Sequence, residues 1–185
     1  MRIVSGKYRG RALVTPESSA IRPTSDRTRE SLFNIISHSF PEKLENTRVL
    51  DLFAGTGALG LEALSRGCRY TVFVEESVEG RGLLRQNVEA FGLQGHTKVF
   101  RRNAAQLGPS GTMGEFDLVF ADPPYGKGLG EQAFVSALEG GWLKPDALLI
   151  LEEIAEAAIT LDDRFILRDE RNYGITTIRF YELAQ

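Results

Sequence analysis

The chain has 185 residues, 42% of them hydrophobic, a formal net charge of -3 and a single cysteine, which reads as one soluble globular domain. The apolar share is too large and the net charge too small for a mostly disordered chain, and the longest apolar run, Ala147 to Leu151, is far short of a bilayer span. Cys68 has no partner for a disulfide and no companions for a zinc site, and Met1 to Lys7 hold no apolar core of signal-peptide length; the expectation is a reducing cytoplasm and no metal.

The charge is not uniform. Residues 1–30 carry seven basic side chains (Arg2, Lys7, Arg9, Arg11, Arg22, Arg27 and Arg29) against three acidic ones, while the rest of the chain carries 15 basic and 22 acidic. A basic leader on an acidic body hints at a nucleic-acid contact surface, the bland reading being a solubilising face. Next, Arg22-Pro23-Thr24-Ser25-Asp26 looks like a helix start: the proline biases Arg22 away from helical angles, Ser25 can cap and Asp26 suits the first turn. Leu32, Phe33, Ile35, Ile36 and Phe40 then recur at helical spacing, and Pro41 ends the pattern.

From Arg48 onward short β-rich runs alternate with helical stretches. Strands are expected at Arg48 to Phe53, Tyr70 to Glu75, Val99 to Asn103, Phe116 to Ala121 and Ala147 to Glu152, with helices clearest at Gly57 to Arg66 and Val78 to Phe91. This is the pattern of βαβ units and a parallel sheet. Phe165 to Glu170 and Ile175 to Leu183 have only Arg171-Asn172-Tyr173-Gly174 between them, too little for a crossover helix, so they form an antiparallel hairpin. The Gly-rich stretch from Gly108 to Gly114 reads as a surface loop.

The first strand runs through Asp51 into Phe53-Ala54-Gly55-Thr56-Gly57-Ala58-Leu59-Gly60 and then a helix. Glycines at such a turn let backbone approach a ligand beside free N–H groups and the helix dipole. The GxGxxG spelling alone does not separate a dinucleotide from S-adenosylmethionine, nor from a turn that needs small residues for packing. Asp51 tilts the balance: it suits the ammonium and sulfonium of S-adenosylmethionine and would repel a pyrophosphate. Glu75, ending the next strand, is placed to accept both hydroxyls of a ribose.

The most informative tetrapeptide is Asp122-Pro123-Pro124-Tyr125, at the carboxyl end of the fourth strand. Two prolines fix two φ angles and hold neighbouring carbonyls rigidly. The chemistry that fits is methylation of an exocyclic amine conjugated to a ring. The Asp122 carboxylate and the Pro123 carbonyl, aimed at the amine hydrogens, would favour the pyramidal nitrogen of the transition state, and Tyr125 would stack on an extruded base.

With these motifs read, the chain looks like a class I amino-methyltransferase. It resembles more closely the bacterial RsmD-type family, which methylates the exocyclic N2 of one guanine in small-subunit ribosomal RNA. The residues that carry this are Lys7-Tyr8-Arg9-Gly10-Arg11, Arg22-Pro23-Thr24, Asp26-Arg27, Arg29 to Asn34, Asp51 to Gly57 and Gly60 to Gly67, and the resemblance spans nearly the whole chain. It implies a Rossmann-like α/β fold: a seven-stranded, mostly parallel sheet with a C-terminal antiparallel hairpin and helices on both faces. It implies one methyltransferase domain over 1–185, with a basic N-terminal extension over 1–30 and a catalytic sheet core over 44–185. S-adenosylmethionine would be held by Asp51, Phe53, Ala54, Gly55, Thr56, Gly57, Glu75, Asn103, Ala104 and Asp122; Asp122, Pro123, Pro124 and Tyr125 would be catalytic; Lys7, Tyr8, Arg9, Arg11, Arg22, Arg27 and Arg29 would bind RNA. Two positions depart from the family: Asn103 stands where an acid often receives the adenine amino group, and Tyr125 where phenylalanine is common. The partner would be small-subunit rRNA or the assembling small subunit, approached by a monomer. The competing readings are an amino-methyltransferase acting on adenine, cytosine or a glutamine amide, a non-catalytic ribosome-assembly factor, and a dinucleotide oxidoreductase.

Overall fold

The strand at Arg48–Leu52 (β1) is buried at every residue after Arg48, as a strand covered on both faces must be. Its side chains alternate, so that Val49 joins one cluster of buried side chains and Leu50 and Leu52 another. The computed structural model describes residues 1–17 and 24–185. Chain order continues with β2 (Tyr70–Val74), β3 (Thr97–Phe100), β4 (Phe116–Ala121), β5 (Leu143–Ile154), β6 (Phe165–Tyr173) and β7 (Thr176–Leu183), and four helices: α1 (Asp26–Ser39), α2 (Ala58–Ser65), α3 (Val78–Ala90) and α4 (Leu129–Glu139).

The strands make one seven-stranded sheet of order β3-β2-β1-β4-β5-β7-β6. β1 to β5 are parallel, and β7 runs antiparallel between β5 and β6. The chain leaves β1 in one direction toward β2 and β3, then returns to the other side of β1 as β4. That reversal opens a crevice beyond the carboxyl ends of β1 and β4, where ligands of open α/β sheets bind. Leu32, Phe33 and Ile36 of α1 cluster with Val49, Phe120, Ile150 and Phe180 on one face; Ala133, Phe134 and Ala137 of α4 cluster with Leu50, Val119 and Leu149 on the other. Each such large side chain, when fully buried, contributes about 1.5–3 kcal/mol relative to exposure. Among the described residues no helix is long and apolar enough to cross a membrane.

The expected seven-stranded α/β architecture is therefore present, with local differences. Ser25 caps α1 as expected, its side chain accepting from the Thr28 N–H; Arg22-Pro23, also part of that helix start, lies outside the described residues. β3 begins and ends earlier than expected, because its ladder with β2 runs from Thr97 to Phe100 and leaves Arg101 to Asn103 outside the strand. β5 starts at Leu143 and reaches Ile154, and α4, unassigned from sequence, fills the β4–β5 crossover. The hairpin turn falls at Gly174-Ile175, because Arg171, Asn172 and Tyr173 pair with Ile178, Thr177 and Thr176 in the ladder; Gly174 supplies the left-handed backbone with φ 65°.

The basic leader is packed into the fold. Ile3 and Leu13 are 1% and 4% exposed and share a cluster with Leu61, Leu84 and Val88 of α2 and α3, so residues 1–13 form a strap laid on α2 and not a free extension. The Lys7 N–H reaches the Ser65 carbonyl at 2.8 Å, and the N–H groups of Val4 and Ser5 donate to Glu62 at 2.9 and 3.0 Å. Gly6 is required at the contact: a Cβ there would sit 2.0 Å from the Ser65 carbonyl oxygen.

Candidate active site

Asp51 lies near the end of β1, on the same side of the sheet as Phe120 and Ile150, and is 1% exposed. Its Oδ2 accepts from the Gly60 N–H at 3.0 Å, which satisfies one donor at the start of α2, where Gly57 supplies no side-chain cap. Burial pushes the Asp51 carboxyl well above the usual carboxylate range, the Gly60 bond opposes this, and the charges of Asp122 and Glu75 add to the rise. Asp51, Glu75 and Asp122 thus set three acids around one hollow. Glu75 is fixed in turn: Oε1 accepts from the Gly55 N–H at 2.8 Å, and Oε2 from Ser77 N–H and Oγ at 3.0 and 2.8 Å. Between the two acids the chain turns at Phe53, whose φ of 55° costs a bulky residue about 1–2 kcal/mol.

These groups line a cleft of about 520 Å³ at the carboxyl edge of the sheet. Of the residues expected from sequence, Asp51, Phe53, Ala54, Gly55, Thr56, Glu75, Asn103, Ala104, Asp122, Pro123 and Pro124 surround it. Gly57 lies behind the lining. With φ 83°, a Cβ at Gly57 would meet Leu84 at 2.4 Å, so this glycine serves packing as well as the turn. Asn103 uses its side-chain oxygen to cap the turn at Ala104–Gln106, accepting from the Ala105 N–H at 2.9 Å.

The loop after β4 is held from β5. Ala121 pairs with Leu151, the last pair of the β4–β5 register, so Asp122 and Glu152 follow directly on two neighbouring strands. The Tyr125 hydroxyl donates to Glu152 at 3.3 Å, and the Gly126 N–H donates to Glu153 at 2.9 Å. Thr24, 5% exposed, places its Oγ1 2.9 Å from Asp122 Oδ2 and 3.2 Å from Glu152 Oε2. Thr24, Glu152 and Glu153 were missed from sequence. Paired acids ending an apolar strand were the available signal for the latter two; Thr24 stood in the Arg22-Pro23-Thr24 motif of the resemblance, but its contact with Asp122 had no local signal, because only the fold brings the residue before the α1 cap to the sheet edge.

The basic residues expected to bind RNA divide. Lys7, Arg9, Arg11 and Arg27 are exposed; Tyr8 stacks on Phe91 at 5.5 Å, and the Arg11 guanidinium lies 4.4 Å from the Phe91 ring centre while donating to the Ala90 carbonyl. Arg22 lies outside the described residues. Arg29 is a correction: it is 0% exposed, paired with Glu62 at 3.2 Å and Asp26 at 2.8 Å, and donates to the Thr24 carbonyl at 3.3 Å and to the Arg2 carbonyl. A guanidinium enclosed by four protein partners has no face for a phosphate. Cys68 is buried, and that burial chiefly pushes its thiol up to about 12, away from the thiolate form.

A Gly-rich turn under a buried acid, an acid on the next strand and an Asp-Pro-Pro-Tyr loop across the switch point, on a sheet with an antiparallel seventh strand, define a class I methyltransferase. Solved structures of like fold include a methyltransferase named yhhF from Escherichia coli, with TM-score 0.83 and 33% identity over 100% of this chain and 99% of that one, and a Thermus hypothetical protein with TM-score 0.77 and 30% identity. The chain belongs to the family described as Conserved hypothetical protein 95, which matches residues 1–182, and with it to the family of the Ribosomal RNA small subunit methyltransferase D proteins. Its relative of that name in Haemophilus influenzae is 33% identical over 98% of this chain and 93% of its own length; the one in Escherichia coli is 35% identical over 98% and 89%.

Proposed function

We propose that this methyltransferase transfers the methyl group of S-adenosylmethionine to the exocyclic N2 of a guanine in small-subunit ribosomal RNA, docking on the RNA through the basic strap. The observation that carries the reading is the carboxylate-rich cleft lined by Asp122, Pro123 and Pro124 of the Asp-Pro-Pro-Tyr loop, in a chain that matches the small-subunit rRNA methyltransferases along almost their full length.

The residues present suit that cofactor. Asp51, buried beside two further acids and pushed toward its protonated form, is relieved by a cation and not by a pyrophosphate; Glu75 faces the same cleft and suits ribose hydroxyls. Asp51, Glu75 and the backbone from Phe53 to Gly57 would hold the cofactor, with Asn103 and Ala104 at its base. When bound, it supplies a methyl group already activated by the sulfonium, so the chain's own task is alignment. Asp122, steadied by Thr24, accepts from one amine hydrogen, and the Pro123 carbonyl accepts from the other. The nitrogen lone pair is drawn out of conjugation, and the proton released on methylation passes to Asp122 or to water. Tyr125 holds the base plane by stacking, worth about 1–3 kcal/mol per base.

The test is label transfer from S-adenosylmethionine to small-subunit rRNA, to assembled small subunits, to duplex DNA and to bulk protein. Label in the ribosomal RNA, lost in Asp122→Ala while cofactor affinity stays within about tenfold, is the expected result. Label confined to DNA or protein refutes the substrate, and none in any arm favours a binding-only assembly factor.

A further inference from the structure

We propose that Glu152 is a specificity-determining residue of the acceptor site, accepting the ring N1–H of the target guanine while Asp122 and the Pro123 carbonyl accept the hydrogens on N2. The inference rests on the amine-methylation reading above and extends it from the kind of atom methylated to the choice of base.

Three observations converge. The β4–β5 register ends at Ala121 and Leu151, so Asp122 and Glu152 are the next residue along each of the two neighbouring strands. The two carboxylates flank the single hydroxyl of Thr24, Glu152 at 3.2 Å and Asp122 at 2.9 Å; Thr24 and Asp122 line the cleft, so Glu152 stands directly behind its acceptor end. The other Glu152 oxygen meets the hydroxyl of Tyr125 at 3.3 Å, which ties this carboxylate to the ring on which the base would lie. Glu152 is 7% exposed, so an edge that reaches it is desolvated and its pairing is decisive.

The bases that carry an exocyclic amine differ at the neighbouring ring atom. In guanine, N1 bears a hydrogen, and N1–H with the two N2 hydrogens forms a row of three donors. In adenine and cytosine the ring nitrogen beside the amine presents a lone pair. A site with acidic oxygens at both positions matches the first pattern and repels the second. A single Asp122 does not make this choice, since it addresses only the amine that all three bases share. A site built to pair with a polar hydrogen rejects the analogue lacking it far more strongly than a pocket that reads shape alone.

The test uses 2-aminopurine, which keeps the guanine amine but carries a lone pair at N1. The methylated nucleotide is first mapped in small-subunit rRNA, and RNA carrying either guanine or 2-aminopurine there is prepared by ligation. The wild-type enzyme should prefer guanine by about a hundredfold or more in kcat/KM. In Glu152→Gln, whose amide can donate to the N1 lone pair, that ratio should fall at least tenfold. A residue that only steadies the loop would slow both substrates equally; an unchanged ratio in Glu152→Gln therefore overturns the proposal. So does a wild-type enzyme that methylates both alike, a result needing no variant. If the wild-type enzyme labels no ribosomal RNA, the proposed function itself fails and takes this inference with it.

Discussion

Replacing Arg29 with methionine separates a structural leader from an RNA-binding one. The guanidinium is fully enclosed and reaches two carboxylates, Glu62 at 3.2 Å and Asp26 at 2.8 Å, and two carbonyls. Methionine preserves most of the stem packing, so the loss is electrostatic. Removing one partner of a buried pair costs about 3–5 kcal/mol; Glu62 keeps Arg66 at 2.8 Å and the N–H groups of Val4 and Ser5, which places the cost at the low end, about 3 kcal/mol. In a domain of this size each kcal/mol lowers Tm by about 2–4 °C, so thermal unfolding followed by circular dichroism, with no RNA present, should show a fall of about 6–12 °C. Combined with Glu62→Gln, the losses should be strongly non-additive. A Tm change under about 2 °C together with weakened RNA binding would refute the reasoning and return Arg29 to the docking surface.

Two further outcomes are expected. Asp51→Asn should weaken S-adenosylmethionine binding by more than tenfold in calorimetric titration, yet raise the stability of the unliganded protein at pH 7. The sign follows from the raised folded-state pKa: stability contributed by Asp51 declines as pH rises above 3.8, so the variant's advantage should shrink as pH falls toward that value, and a constant advantage across the range would contradict the assignment. Neutralising Lys7 and Arg9, whose side chains are exposed on the strap, should flatten the salt dependence of RNA binding by a log–log slope of about 0.7–0.9 per phosphate contact removed, and an unchanged slope would make the strap a purely structural element.

The sequence by itself determined the architecture and the two halves of the cleft. Alternating strand and helix patterns from Arg48 onward, a hairpin too short for a crossover and a glycine turn after Asp51 are local signals, since strand period, turn chemistry and proline stiffness act over a few neighbouring residues. Element ends were less legible: β6 runs to Tyr173 because its ladder with β7 continues, and pairing with a partner strand leaves no mark in the strand's own residues. What only the tertiary structure decided is where charge is buried and which distant residues meet. Arg29 reads like the other basic residues of the leader, yet the packing of α1 against α2 encloses it with Glu62, 33 positions away. Thr24, Asp122 and Glu152 are likewise far apart in the chain and come together because parallel strands place their carboxyl ends on one edge of the sheet. Propensity belongs to the residue, but burial and pairing belong to the fold, so the chemistry of the acceptor site became visible only once β4 and β5 were seen side by side.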